Sequence, residues 1–238
     1  DDADMGYSFS KPAIVKLDDD KWYAIFGNGY NSTAGKAVLY IVDLETKDFM
    51  KITSNTDPAI GNKGPDNGLS TPAVIDTDGD LVADRVYAGD LLGNVWSFDL
   101  TSFNITASGG TLDAGDSVFT GEIDQPITQK IIVQEHPLGA RAGYLLHFGT
   151  GKFFSTNDND ASGQATQSIY AIWDCEELTI CGARTQSDLL EQVVEAEVEH
   201  SVVSAELRVT SDNAISWLDD GTVQVGDASW ETHIDDHG

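Results

Sequence analysis

Residues 76–100 read DTDGDLVADRVYAGDLLGNVWSFDL and combine a dense set of aspartates with two short apolar runs. The runs RVYAG and VWSF are rich in β-branched and aromatic residues, and GDLLGN is the kind of Gly- and Asn-containing break that separates strands. This pattern predicts antiparallel strands joined by a tight connection. We expect a strand over residues 95–100, with Trp96 and Phe98 on one face and Val95 on the other.

The same order of strand, turn, strand, glycine break and strand occurs three times. The breaks begin at Gly27, Gly89 and Gly149, and the closing sequences YIVD, SFDL and AIWD follow them in register. Repeats of short strands at this period are typical of β-propeller blades. The sequence predicts an all-β, β-propeller-like fold with four-stranded antiparallel blades. We assign one propeller fragment to residues 1–238, with blades over about 7–53, 69–103 and 127–175, and further strands of an incomplete blade over 186–238.

The aspartates of this stretch occupy positions one, three, five and nine of a short loop: Asp76, Asp78, Asp80 and Asp84. Carboxylates so close together repel one another unless a cation neutralises them. Ca²⁺ takes oxygen ligands from such alternating positions, whereas Zn²⁺ prefers His and Cys, which the loop lacks. We therefore expect Ca²⁺ to be bound by these four carboxylates and the backbone carbonyl of Val82.

The loop differs from an EF-hand, because Leu81 stands at the sixth position and no Glu stands at the twelfth. Asp84 is then expected to close the ligand shell, and Gly79 to supply the bend. A solvated hairpin turn is the alternative, since a chain with 40 acidic residues also produces such spacings by chance. A second acidic stretch around Asp158 and Asp160 offers few fixed ligands, so we expect a solvated loop there rather than a second ion site.

Charge excludes several classes of partner. The chain has 13 basic and 40 acidic residues, and its formal net charge is -27. Such a charge repels nucleic acid and anionic lipid, so we expect no nucleic-acid partner. No apolar run approaches the length of a bilayer span, and we expect no integral membrane segment. The first residues, DDADMGYSF, lack the features of a signal peptide, which suggests a piece of a longer protein.

The only two cysteines, Cys175 and Cys181, lie in the polar stretch DCEELTIC. Without a nearby pair of His residues they make a poor zinc site, whereas a disulfide readily closes a short polar loop. We expect a disulfide between them, with free thiols as the alternative. A disulfide would place the domain outside the cytoplasm.

Several segments together resemble one known family: GYSFSKPAIVKL, FGNGYNS, NGLSTPAVIDTDGDLVADRVYAGDLLGNVWSFDL, FGTGKFF and SIYAIWD. They are similar to the C-terminal β-propeller domain of the PilY family, the calcium-binding, tip-associated adhesins of bacterial type IV pili. The resemblance covers roughly residues 6–217 and is most specific over 68–100. It implies that the aspartate loop binds Ca²⁺ and that calcium occupancy controls pilus extension and retraction.

The resemblance also implies a non-enzymatic module of pilus assembly, surface attachment and twitching motility, without catalytic residues. The implied partners are pilus components such as minor pilins, and host or abiotic surfaces. The implied location is the pilus tip at the cell surface, reached by export through the periplasm. Two alternatives remain: a quinoprotein-dehydrogenase-like propeller enzyme and a carbohydrate-binding propeller. The enzyme would need adjacent cysteines at its cofactor, and Cys175 and Cys181 are not adjacent.

Overall fold

The structure is a computed structural model of the chain. It describes residues 2–54, 66–101, 115–137, 143–160, 162–175, 183–200, 205–213 and 230–234. The regular structure of these residues is almost all strand, arranged in three sheets of four or five strands and one two-stranded hairpin. Two short 3₁₀ helices complete it, η1 (Thr156–Asn159) and η2 (Gln186–Asp188). The predicted all-β class is therefore confirmed.

The first sheet is a meander of four antiparallel strands. In order they are β1 (Ala13–Lys16), β2 (Trp22–Gly27), β3 (Val38–Asp43) and β4 (Phe49–Thr53). The turn between β1 and β2 is closed by Asp19, whose carboxylate accepts hydrogen bonds from the Lys21 backbone amide and the Tyr23 hydroxyl. Period-two alternation then buries most of one side of the sheet, including Tyr23, Ile25 and Leu39.

The second sheet contains four antiparallel strands and one parallel edge strand. The antiparallel strands are β5 (Ala73–Ile75), β6 (Arg85–Gly89), β7 (Val95–Asp99) and β8 (Asp116–Thr120). The edge strand, β12 (Arg184–Thr185), pairs with β8. The blade predicted over 69–103 thus takes its fourth strand from beyond that range, because the return strand comes only after a long connection.

The third sheet has the order β13-β16-β11-β10-β9. Its strands are β9 (Ile132–Glu135), β10 (Tyr144–Gly149), β11 (Gln167–Asp174), β13 (Leu190–Gln192) and β16 (Trp230–Ile234). The remaining strands, β14 (Val194–His200) and β15 (Ala205–Thr210), form a separate hairpin. Within the range 186–238, β13 and β16 therefore belong to the third sheet, and the incomplete further blade that we expected over this range stays a prediction. The pairing of Trp230–Ile234 with β11 is long-range, and local periodicity does not reveal it.

Both faces of the second sheet are buried. One apolar cluster joins it to the first sheet through Val86, Ala88, Trp96 and Phe98. A second cluster joins it to the third sheet through Tyr87, Val95 and Phe119. The separation of Trp96 and Phe98 from Val95 confirms the predicted alternation of β7. Sheets that are buried face to face in sequence order are what a propeller requires.

A buried carboxylate fixes the connection between β6 and β7. Asp90 is fully buried and accepts hydrogen bonds from the side chains of Asn67 (3.0 Å), Asn94 (3.0 Å) and Trp96 (2.9 Å). The backbone amides of Leu92 and Asn94 also donate to it, at 3.0 and 2.9 Å. Burial raises the pKa of this carboxyl, while the hydrogen bonds from Asn67, Asn94 and Trp96 act to lower it. Hydrogen bonds to Asp90 therefore connect the glycine break, through Asn94, with the segment that leads into the second sheet, through Asn67.

One of the two cysteines lies in the described part of the chain. Cys175 is buried and forms a disulfide. Cys181 lies outside the described residues, so its pairing with Cys175 stays a prediction. No helix among the described residues is long and apolar enough to span a membrane.

Replacing Asp90 by Ala should lower the free energy of unfolding by about 3 kcal/mol, because several buried donors lose their acceptor together. Urea denaturation followed by circular dichroism measures the change. The matched control is Asp99→Ala, which removes an exposed carboxylate whose hydrogen bonds, among the described residues, come from Thr101. We expect the control to lie within about 0.5 kcal/mol of the parent chain. Equal losses in the two variants would show that the buried carboxylate has no special role.

Candidate metal centre

The aspartate loop connects β5 to β6 at one end of the second sheet. The strands are in register up to the pair Ile75 and Arg85, and the Asp84 amide donates to the Ile75 carbonyl at 3.0 Å. The loop therefore leaves and returns to a short antiparallel ladder. This ladder fixes the first and last aspartates of the loop next to each other, which the sequence spacing alone cannot guarantee.

Three of the predicted ligands come together. Asp76, Asp78 and Asp84 each offer a carboxylate oxygen, and these oxygens lie within 4.8 Å of one another. Ca²⁺–oxygen distances of about 2.4 Å allow two ligand oxygens to lie up to about 5 Å apart, so one ion can reach all three. Asp80 is not part of this group, although it lies in the same loop. The donor set is entirely hard oxygen, which suits Ca²⁺.

Hydrogen bonds within the loop hold the carboxylates in place. Asp76 accepts from the backbone amides of Gly79 (2.7 Å) and Leu81 (2.8 Å) with its two oxygens. Asp84 accepts from the amide and the hydroxyl of Thr77, at 2.6 and 2.8 Å, with one oxygen, Oδ2. Asp84 therefore reaches back across the loop to Thr77, and its role in closing a calcium shell stays a prediction. Thr77 is a contact that the sequence analysis missed, since only the aspartates stood out by their spacing.

Two residues of the loop adopt left-handed backbone conformations, Gly79 with φ 83° and Leu81 with φ 73°. Glycine adopts this conformation without strain, and it supplies the bend as expected. Leu81 adopts it at a cost, and its side chain is 84 % exposed. The chain therefore holds a strained, solvent-facing residue in the middle of the loop.

The carboxylates differ in their pKa. Backbone hydrogen bonds, that from Leu81 foremost, hold the pKa of Asp76 below its ordinary value. For Asp78 the hydrogen bond from the Asp80 amide acts to lower the pKa, but desolvation and the charges of Asp80, Asp84 and Asp76 outweigh it and raise the pKa. The raised pKa of Asp78 reflects the mutual repulsion that we inferred from the sequence.

The loop also contacts the first sheet. The backbone amide of Ala83 donates to the carbonyl of Lys16, the last residue of β1, at 2.9 Å. The Ala83 side chain is buried in the apolar cluster between the first and second sheets. On the side of β7, the Leu100 amide donates to the Asp84 carbonyl at 2.7 Å. The loop is thus attached to the apolar interface between the first and second sheets, which contains Ala83, Val86 and Trp96 and which we call the seam.

The second acidic stretch is arranged differently. Asp158 accepts from the Phe154 and Ser155 amides, both at 2.8 Å. Asp160 accepts from the amide and hydroxyl of Ser162, at 2.9 and 2.6 Å. Each carboxylate closes its own turn, and the two do not form a candidate metal group within the described part of the chain.

The comparisons with known proteins give a consistent result. Residues 2–206 match the family model described as the PilY1 beta-propeller domain. Type IV pilus biogenesis factor PilY1 of Pseudomonas aeruginosa is 34 % identical over 250 residues, which cover 94 % of this chain and 21 % of that protein. A PilY1 homolog of Xylella fastidiosa is 38 % identical over 231 residues, which cover 91 % of this chain and 15 % of that protein.

A solved structure agrees with the sequence relatives. The crystal structure of the Pseudomonas aeruginosa PilY1 C-terminal domain superposes with a TM-score of 0.75 at 31 % identity, covering 98 % of this chain and 51 % of that one. The chain thus spans about a fifth or less of the length of the relatives named here and about half of the solved domain. The family match, the identities and the superposition agree with the sheets described above, and the chain belongs to the PilY1 β-propeller family.

Proposed function

We propose that this chain is a calcium-binding, non-enzymatic module of a type IV pilus biogenesis protein. The observation that carries the proposal is the group formed by Asp76, Asp78 and Asp84, whose oxygens lie within 4.8 Å of one another on a loop fixed by its own hydrogen bonds. Such preorganisation lowers the cost of gathering the ligands when the ion binds. The family membership supplies the pilus context.

The residues of the loop would have different roles in binding Ca²⁺. Asp76, Asp78 and Asp84 supply charged oxygens, and bound Ca²⁺ supplies the positive charge that offsets their repulsion. Asp80 and the carbonyl of Val82 remain proposed ligands, and Asp80 would join by a rotation of its side chain. Thr77 orients Asp84 through two hydrogen bonds.

Calcium occupancy would be transmitted through the seam between the first and second sheets. Without a cation, the repulsion among the loop carboxylates favours a looser loop, and the loop is joined to β1 by the hydrogen bond from Ala83 to Lys16. With the cation, the loop and this contact are both stabilised by mass action. We propose that this change in the stability of the loop and of its contact with β1 regulates pilus extension, retraction and surface attachment.

The proposed partners are pilus components such as minor pilins, together with host or abiotic surfaces. The proposed location is the pilus tip, outside the cell, reached by export through the periplasm. The relatives are named as biogenesis factors rather than as enzymes, which supports a non-enzymatic role. The strong net charge of -27 would suit calcium binding and solubility outside the cell.

Calorimetric titration should show that the chain binds Ca²⁺ at one site. Asp84→Asn should weaken binding by more than about tenfold, because one charged ligand is lost. Asp80→Asn should weaken it less, because Asp80 lies outside the group of three. The matched control, Asp160→Asn, changes an exposed, turn-closing carboxylate away from the loop and should bind as the parent does. A parent chain that binds no Ca²⁺ at millimolar concentration would refute the proposal, as would an Asp84→Asn variant that binds normally.

Calcium affinity should also fall on acidification. The pKa of Asp78 is raised above the ordinary value of 3.8 by its acidic neighbours, whereas that of Asp76 is lowered. As the pH falls from 7, Asp78 is therefore expected to take up a proton before Asp76, and the protonated form is a poorer ligand. Titrations at several pH values should show weakening that begins above pH 3.8 and is accompanied by proton release on binding. A pH-independent affinity between pH 7 and pH 4 would contradict this order of protonation.

A further inference from the structure

Three segments of the chain converge at the end of the sheets opposite the aspartate loop. Each leads into the first strand of a sheet: residues 9–11 precede β1, residues 69–71 precede β5, and residues 128–130 precede β9. Together with Tyr30 and Phe154 they line a recess of about 410 Å³. An adjoining recess of about 610 Å³ shares several of the same side chains. Both volumes fall within the range of ligand-binding pockets.

Aromatic side chains dominate this surface, which we call the aromatic groove: Tyr7, Phe9, Tyr30, Phe153 and Phe154. Phe9 and Phe153 are 74 % and 70 % exposed. The rings of Phe9 and Phe154 are nearly parallel, at 11°, with centroids 6.4 Å apart, and the Tyr30 ring lies 4.5 Å from that of Phe154. Contiguous exposed aromatic surface is unusual in a highly charged chain and marks an interaction site.

The groove is held in shape by hydrogen bonds between side-chain hydroxyls of its segments and the backbone of the glycine breaks. Ser10 accepts from the Gly27 amide at 3.1 Å, and the Ser8 hydroxyl donates to the Gly27 carbonyl at 3.0 Å. On the other side, the Thr128 hydroxyl donates to the Gly151 carbonyl at 2.8 Å. These bonds fasten the lead-in segments to the glycine breaks of the sheets. A partner would therefore meet a preformed surface, which lowers the cost of binding.

Positive charge borders the groove. Lys11 and Lys130 line it, both side chains are exposed, and neither makes an ion pair with an acidic side chain in the described part of the chain. The chain holds only 13 basic residues against 40 acidic ones, so uncompensated lysines beside an apolar surface stand out. The local charge is opposite to that of the molecule as a whole, which favours an anionic partner at this place.

We propose that the aromatic groove is a docking site for an acidic segment of a partner protein that carries apolar side chains between its carboxylates. Phe and Tyr side chains are typical anchors of protein interfaces, and complementary charge at the rim sets the register of the bound segment. The site lies beyond the proposed calcium function, because β5 separates the groove from the aspartate loop at its other end.

Selection of random twelve-residue peptides displayed on phage tests this proposal, with the whole chain immobilised in the presence of a calcium chelator. The selected peptides should be enriched in Asp and Glu together with apolar residues. A labelled copy of the most frequent peptide should bind Lys11→Glu/Lys130→Glu and Phe9→Ser at least about tenfold more weakly than the parent, because either charge or apolar contact is lost. The chelator keeps the result independent of calcium binding.

Matched controls lie at the opposite end of the first sheet. Lys47→Glu reverses the charge of an exposed side chain in the connection between β3 and β4. Phe49→Ser removes a phenylalanine that is 50 % exposed. Both should bind the peptide as the parent does. The proposal is overturned if selection yields no acidic enrichment, or if the controls weaken binding as much as the groove variants. It is also overturned, in favour of an acidic carbohydrate, if oligogalacturonate binds the groove and no peptide is selected.

Discussion

The buried contact between the Asp90 carboxylate and the Trp96 indole is the interaction on which the other contacts depend. It holds the glycine break against β7, so that Trp96 enters the cluster shared with the first sheet while Val95 enters the cluster shared with the third. A one-residue slip of β7 would exchange these two faces and unpack both seams. In the first sheet, Asn28 occupies the corresponding break and accepts from the Val38 and Leu69 amides, which joins that break to the segment that leads into the second sheet.

The position of the proposed metal centre depends on this packing. Ala83 lies in the same cluster as Trp96, and its amide bonds to Lys16 of the first sheet. The loop aspartates are therefore displayed by a hairpin whose base is part of the core, while Asp78 and Asp80 remain exposed. An ion bound here would act on a seam between two sheets rather than on an isolated turn. The aromatic groove, at the other end of β5, would leave partner binding and calcium binding physically separate.

Local patterns in the sequence predicted the strands of the three repeats and the faces of β7 correctly, because alternation and glycine breaks are properties of neighbouring residues. The pairing of Trp230–Ile234 with β11 and the addition of β8 to the second sheet were missed, because long connections hide such partners from local periodicity. Spacing identified the loop aspartates, and the structure brings Asp76, Asp78 and Asp84 together. Spacing could not identify Thr77 or Lys16. Thr77 contacts Asp84 across the loop, and the Lys16 carbonyl accepts from the Ala83 amide between two sheets.

Hydrogen exchange of the Ala83 amide tests most directly whether calcium occupancy reaches the seam between the sheets. This amide donates to the Lys16 carbonyl at 2.9 Å, so its exchange reports the opening of that contact. Saturating Ca²⁺ should slow its exchange, while the amide of Ile41, in the core of the first sheet, should be affected much less. Equal exchange of the Ala83 amide with and without Ca²⁺, under conditions where binding is complete, would contradict the account.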